Sequence, residues 1–305
     1  MNPRITFLLL PYTRAELPGW GKLLSLISDL DWRPVLDGSD KKLPTVVLRG
    51  KWHGYLMNLD LSDWAQRMTY FLGRYYELGV TRVLDFLLRP GDKFVDIGAN
   101  IGMITLHARF LVGAEGRIDC FEPNPECVEA LQEHLSINGI NNVFVHPCAL
   151  AESGGSLTLY LTSAHSGTAT LADVGGAAIR SHVVPVQVGD EVLTESPRLI
   201  KIDVEGFELH VLKGLIRTLS LHKPFLITEL VESHLQRAGT SVTEISDFLV
   251  NLGYQPFGIG TTRKALRYDL ALHSLAPNRK FSGFDDVLWA HSDHSAELST
   301  LLLSK

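Results

Sequence analysis

The chain has 305 residues, 45% of them hydrophobic and 20% charged, a balance that supports one large domain with additions or two small ones. Its formal net charge is -6 and no basic run occurs, which argues against nucleic acid as a partner. Three cysteines, Cys120, Cys127 and Cys148, make no C-x-x-C pair and no disulfide framework, so a reducing compartment is expected.

The first apolar run, residues 5–10, ends at Pro11 and is too short to span a membrane. No cleavage site follows it, so the expected location is the cytoplasm. Residues 20–30 carry Leu23, Leu24, Leu26, Ile27 and Leu30 at helical spacing. They predict a short amphipathic helix that packs on the core, with a dimer contact or a membrane surface as the second reading. Residues 45–49 and 55–59 predict a strand pair, and 64–88 a mostly helical stretch broken near Gly73 and Gly79. Residues 1–85 are thus expected to form an N-terminal extension or lid.

From Gly91 onward strands alternate with helices. Strand 93–96 precedes helix 101–112, and strand 117–122 precedes helix 125–138, with Asn124 as its N-cap. Strand 143–150 follows, then a β-rich insertion with strands 156–162 and 183–188 around a small, polar loop containing His165. Alternation returns with strand 198–203, helix 207–220, strand 225–230, helix 242–252, a strand near 254–259 and a closing strand at 286–291. This pattern predicts an α/β fold with a mainly parallel sheet covered by helices. Residues 292–305 read as a short helix or tail.

The chemistry concentrates at the first of these strands. Asp96 ends it, and Gly98-Ala99-Asn100-Ile101-Gly102 turns the chain into the helix. Such a turn lets a ligand approach the backbone, and Asp96 can accept a hydrogen bond from it. The next strand ends at Glu122, where an acid takes the two hydroxyls of a ribose. The full G-x-G-x-x-G pattern that cradles a pyrophosphate is missing. A nucleotide with a ribose and no diphosphate is therefore expected, and S-adenosylmethionine (SAM) fits.

Three stretches carry a closer likeness: Val95-Asp96-Ile97-Gly98-Ala99-Asn100-Ile101-Gly102, Phe121-Glu122-Pro123-Asn124-Pro125, and Ile200-Lys201-Ile202-Asp203-Val204-Glu205-Gly206-Phe207-Glu208 with Val211-Leu212-Lys213-Gly214. Together they resemble the FkbM-type methyltransferases over about residues 75–291. The resemblance implies the class I methyltransferase fold, a Rossmann-like seven-stranded sheet with a final antiparallel strand, over residues 86–291. It also implies methyl transfer from SAM to a hydroxyl, commonly on a sugar or a secondary metabolite. By the same resemblance, Gly98, Asn100 and Asp96 belong to the SAM turn and Glu122 to the ribose. Phe121 and Pro123 would flank the adenine, Ala149 its edge, and Glu77 the methionine end.

Methyl transfer needs an acceptor oxygen aligned with the donor carbon and relieved of its proton. Asp203 and Glu205, just past a strand end, are the expected base or bases, with Asp203 also expected to contact SAM. His234, after the next strand, is a further candidate. No metal is expected, because no histidine cluster accompanies these carboxylates in the sequence. His291-Ser292-Asp293-His294 reads as surface. The expected partner is a small-molecule or glycan substrate, and a homo-oligomer is allowed. The competing readings are an N-methyltransferase on a small amine, a SAM-binding subunit without catalysis, and an NAD-dependent dehydrogenase.

Overall fold

The computed structural model describes residues 3–23, 45–161, 169–172, 174, 176, 178–264, 267–276, 281 and 285–303. Most of the expected 20–30 helix, and His165 with its loop, lie outside the described residues. The chain divides into two compact units: Met1–Leu78 with Arg263–Tyr268, and Gly79–Thr262 with Asp269–Lys305.

The first unit contains helix α1 (Pro3–Arg14), the antiparallel strands β1 (Thr45–Arg49) and β2 (Leu56–Asp60), and helix α2 (Trp64–Leu72). Asp63 caps α2 by accepting from the Gln66 amide, and Gly73 closes it in a left-handed conformation at φ 69°. Leu10, Leu61, Phe71 and Leu72 form its small core. The buried Glu16 carboxylate holds the Arg74 guanidinium at 2.9 and 2.8 Å and the Lys51 ammonium at 2.5 Å.

In chain order the second unit comprises α3 (Leu78–Leu87), β3 (Lys93–Ile97), α4 (Met103–Val112), β4 (Arg117–Phe121), α5 (Pro125–Ile137), β5 (Val143–His146), β6 (Ala149–Ala151), β7 (Gly155–Leu161), β8 (Ala169–Thr170), β9 (Arg180–Val188) and α6 (Gly189–Val192). It continues with β10 (Leu199–Ile202), α7 (Glu208–Gly214), α8 (Ile216–His222), β11 (Phe225–Glu229), α9 (Glu232–Arg237), α10 (Val242–Asn251), β12 (Tyr254–Lys264), β13 (Arg267–Ser274), β14 (Asp286–His291) and α11 (Ser295–Leu303). Every residue of β10 is buried, as befits an interior parallel strand covered on both faces.

The main sheet runs β13-β12-β14-β11-β10-β3-β4-β5. Strands β5, β4, β3, β10 and β11 pair in parallel, and β14 is antiparallel to both β11 and β12. That is the class I methyltransferase sheet, with β13 added as an eighth strand on the edge. Leu226 and Trp289 face each other in register, and the buried Trp289 indole donates to Thr228 Oγ1 at 2.9 Å.

Several expected elements are divided. The 143–150 strand becomes β5 and β6 in different sheets. Pro147 has no amide for a ladder, and the Cys148 amide donates back to the His146 carbonyl at 2.8 Å, so the chain turns out of the main sheet. Strand β6 joins β9, β7 and β8 in a four-stranded sheet. The 207–220 helix breaks at Leu215 into α7 and α8. The expected breaks near Gly73 and Gly79 merge into one interruption over residues 73–77, between α2, closed by Gly73, and α3, which starts at Leu78. His291 is 8% exposed, not at the surface, and its Nδ1 accepts from the Asp293 amide. No helix of the described residues is long and apolar enough to cross a membrane.

Gly214 explains part of the Val211–Gly214 motif. A Cβ there would lie 2.2 Å from the Ala151 carbonyl oxygen, a backbone atom with no room to retreat. Helix propensity alone would make Gly214→Ala stabilising by up to about 1 kcal/mol. Overpacking costs roughly 1–3 kcal/mol. Gly214→Ala is expected to lower the urea midpoint, and a raised midpoint would show that propensity wins.

Candidate active site

The order of the sheet sets the site. From β3 the chain winds outward through β4 and β5, then returns to the other side of β3 at β10. At such a reversal the loops leaving the two central strands part, and open α/β folds bind ligands in the crevice so formed. Here the turn after β3 meets the end of β10. The Asp203 amide donates to the Ile97 carbonyl at 3.0 Å. A Cβ on Gly98 would lie 1.8 Å from the Asp203 carbonyl oxygen, and Gly98 has φ 78°. Both the close approach and the left-handed backbone require glycine at this position.

The amides of the turn are all engaged within the protein. Gly98 and Ala99 donate to the Phe121 carbonyl at 2.9 and 3.2 Å, and Gly102 donates to the Ala99 carbonyl at 2.9 Å. Asn100 donates to Glu122 Oε2 at 2.7 Å, and Ile101 donates to Asn100 Oδ1 at 2.8 Å. A phosphate cradle needs free amides pointing at the anion. This turn presents instead two buried carboxylates, Asp96 and Glu122. It therefore suits hydroxyl donors and cations and repels a diphosphate.

Glu122 is held at both oxygens, since Oε1 accepts from the Asn124 amide at 2.8 Å. Each oxygen keeps a lone pair for a further donor. Burial pushes the Glu122 carboxyl up to about 7, against the two amides, which favour its charged form. Asp96 Oδ2 accepts from Thr105 Oγ1 at 2.7 Å, whereas Asp96 Oδ1 is buried without a partner. An orphaned carboxylate oxygen is costly unless a ligand satisfies it. Burial also raises the Asp96 pKa, with Lys201 and Thr105 opposing.

Lys201 is the buried cation of the site. Its ammonium donates to Asp203 Oδ2 at 2.8 Å and acts electrostatically on Asp96 and Asp286. Asp286 opens the antiparallel β14, so its carboxyl falls at the same sheet edge as the ends of β10 and β11. Burial, then the Asp203 charge, pushes Asp286 up to about 6. One ammonium among three carboxylates leaves an excess of negative charge that a cationic ligand would offset.

Glu205 does not hold Lys201 in an ion pair and does not cap the following helix. Helix α7 has no side-chain cap; Glu208 instead braces the turn before it, its Oε1 accepting from the Val204 and Gly206 amides at 3.2 and 3.1 Å. Burial pushes Glu208 up to about 7. Glu205 faces His234 in α9, with Oε2 2.8 Å from Nδ1. Glu229, the last residue of β11, completes a group with them whose ligand atoms all lie within 4.8 Å of one another. The fold thus supplies the histidine–carboxylate cluster that the sequence reading did not expect.

The remaining expected residues fall as follows. The Phe121 ring sits in the core and stacks on His146 at 4.5 Å, so its carbonyl serves the turn. Pro123 is half-buried. Ala149 opens β6 and is buried beside Ala151 and Val186. Glu77 belongs to the N-terminal unit, where Tyr75 Oη donates to it at 3.3 Å. Lys201 and Asp286 were missed as site residues. A lone lysine inside an apolar strand and an acid opening the closing strand were the available signals.

A sequence model of the Methyltransferase FkbM domain matches residues 96–256, just over half of the chain. Methyltransferase 1 of Beauveria bassiana is 30% identical over 162 residues, 46% of this chain and 65% of that protein. The hexuronic acid methyltransferase AglP of Haloferax volcanii is 30% identical over 148 residues, 47% of this chain and 58% of that protein. The crystal structure of a methyltransferase FkbM from Methylobacillus flagellatus is 18% identical with a TM-score of 0.43, over 74% of this chain and 54% of that one. The match thus spans less than two thirds of each of these relatives. On the strength of the domain match from Asp96 to Pro256, the chain belongs to the FkbM methyltransferase family.

Proposed function

We propose that this chain is a SAM-dependent O-methyltransferase acting on a hydroxyl of a sugar or a glycosylated metabolite. The observation that carries the cofactor half is the carboxylate-lined turn with no free amide. It accepts a ribose and an ammonium and rejects a diphosphate, which disfavours the dehydrogenase reading. The sugar half rests on family membership and on the likeness to a hexuronic acid methyltransferase.

The residues divide the work. Glu122 would accept both ribose hydroxyls on the lone pairs its two amides leave open. Asp96 Oδ1 would accept from the cofactor's ammonium group. When bound, SAM supplies a methyl group already activated by a sulfonium. Asp203, tethered to Lys201 and packed through its backbone on Gly98, would take the acceptor's proton, while Glu205 and His234 line the acceptor side of the site. The excess carboxylate charge favours a cationic donor over its neutral product. An amine acceptor would need the same alignment, and a panel of sugar and amine acceptors separates the two.

Glu122→Gln is expected to weaken S-adenosylhomocysteine binding about 10- to 100-fold by calorimetry, because bonds to a charged acceptor are worth about 1.5–3 kcal/mol each. Unchanged affinity would remove Glu122 from the cofactor site. Burial pushes the free Glu122 carboxyl up to about 7, and the bound form requires the carboxylate. Affinity should therefore be full above pH 7 and fall up to about tenfold per unit as pH drops below it, with Glu122→Gln flattening the profile. Asp203→Asn should lower kcat by about 100-fold or more and leave homocysteine-ligand affinity within a few-fold. Equal losses of turnover and affinity would make Asp203 a cofactor ligand.

A further inference from the structure

Three donors from three elements converge at the ends of β10 and β11: Glu205 from the loop after β10, Glu229 from the end of β11 and His234 from α9. None of them is needed by the cofactor half of the site. Their ligand atoms all lie within 4.8 Å of one another. His234 Nδ1 is 2.8 Å from Glu205 Oε2, yet it is buried without an aligned hydrogen bond. Two carboxylates around one imidazole also leave negative charge that a single ring proton cannot balance.

The arrangement is fastened from both sides. Glu205 has φ 56°, in the left-handed region that a residue with a side chain enters rarely. Its carbonyl accepts from Thr170 Oγ1 at 3.0 Å. The next residue packs directly on α9: a Cβ on Gly206 would lie 2.3 Å from the His234 carbonyl oxygen. The loop and the helix are therefore locked together at the point where Glu205 and His234 oppose each other.

We propose that Glu205, Glu229 and His234 bind one divalent first-row transition cation. Two carboxylates and one imidazole suit Mn²⁺, Fe²⁺ or Zn²⁺ better than Mg²⁺ or Ca²⁺, which favour oxygen donors. Bonds of about 2.0–2.2 Å require the three donors to draw in slightly, which side-chain rotation supplies. Three protein ligands leave open positions for an acceptor oxygen. The role of the cation rests on the methyltransferase reading: it would polarise the acceptor hydroxyl as a Lewis acid. The O–H proton passes to Asp203, the oxygen forms the new C–O bond, and the C–S bond breaks to release S-adenosylhomocysteine.

The test uses the full chain after chelator treatment, with Mn²⁺ alone as the probe and loss of the free-ion paramagnetic resonance signal as the readout. Saturable uptake of one ion per chain is expected, weakened at least about tenfold in Glu229→Gln and in His234→Gln. Circular dichroism checks that each variant folds, and Glu205→Gln replaces any variant that does not. No saturable uptake by the wild-type chain overturns the proposal, as does uptake undiminished in the folded variants. S-adenosylhomocysteine binding is measured on the same samples. Its loss in the wild-type chain with Mn²⁺ uptake retained would overturn the cofactor reading and leave the metal site standing.

Discussion

The backbone contact between Gly98 and Asp203 is the constraint on which the site depends. It joins the turn after β3 to the strand added on the opposite side of β3, and no larger residue fits at Gly98. Because of it, Asp96 and Glu122 on one side and Lys201, Asp203 and Asp286 on the other act on one another electrostatically. The sheet order alone would bring those strands together. The glycine contact brings their loops together as well.

Placing so many acids at one edge raises the free energy of the unliganded protein. Burial opposes ionisation of Asp96, Glu122 and Asp286, and the charges of neighbouring carboxylates add to it. Lys201 relieves part of this and is itself buried at 4% exposure, a position it holds through the Asp203 pair. A site that stores unfavourable charge in this way is poised for a cationic ligand. The same surplus, carried further along the edge by Glu205 and Glu229, gives the proposed metal cluster its electrostatic rationale.

The sheet and the glycine turn after β3 were legible because short-range signals specify them. Apolar strands ending in acids, the glycine turn and the Asn124 cap are all written within a few residues of where they act, and the cap accepts from the Glu126 amide as expected. What could not be read depends on pairing across long separations. Pro147 marks where 143–150 splits, but the place of residues 149–151 in a second sheet follows from β6 finding β9, with Ala149 opposite Val186, 37 residues later in the chain. The hairpin strand β13 and the meeting of Glu205 with Glu229 and His234 likewise arise only when distant segments pack. Lys201 was passed over because its strand periodicity says nothing about which acids will surround it.

The central claim is that the turn holds a ribose-bearing ligand without a diphosphate. Thermal unfolding of the full chain with S-adenosylhomocysteine, and separately with NAD, tests it most directly. At about a hundred times its dissociation constant a ligand stabilises by about 2.7 kcal/mol, which for a protein of this size is a rise of at least several degrees in Tm. The account predicts that rise with S-adenosylhomocysteine and none with NAD. No rise with saturating S-adenosylhomocysteine, or a rise with NAD alone, would contradict it.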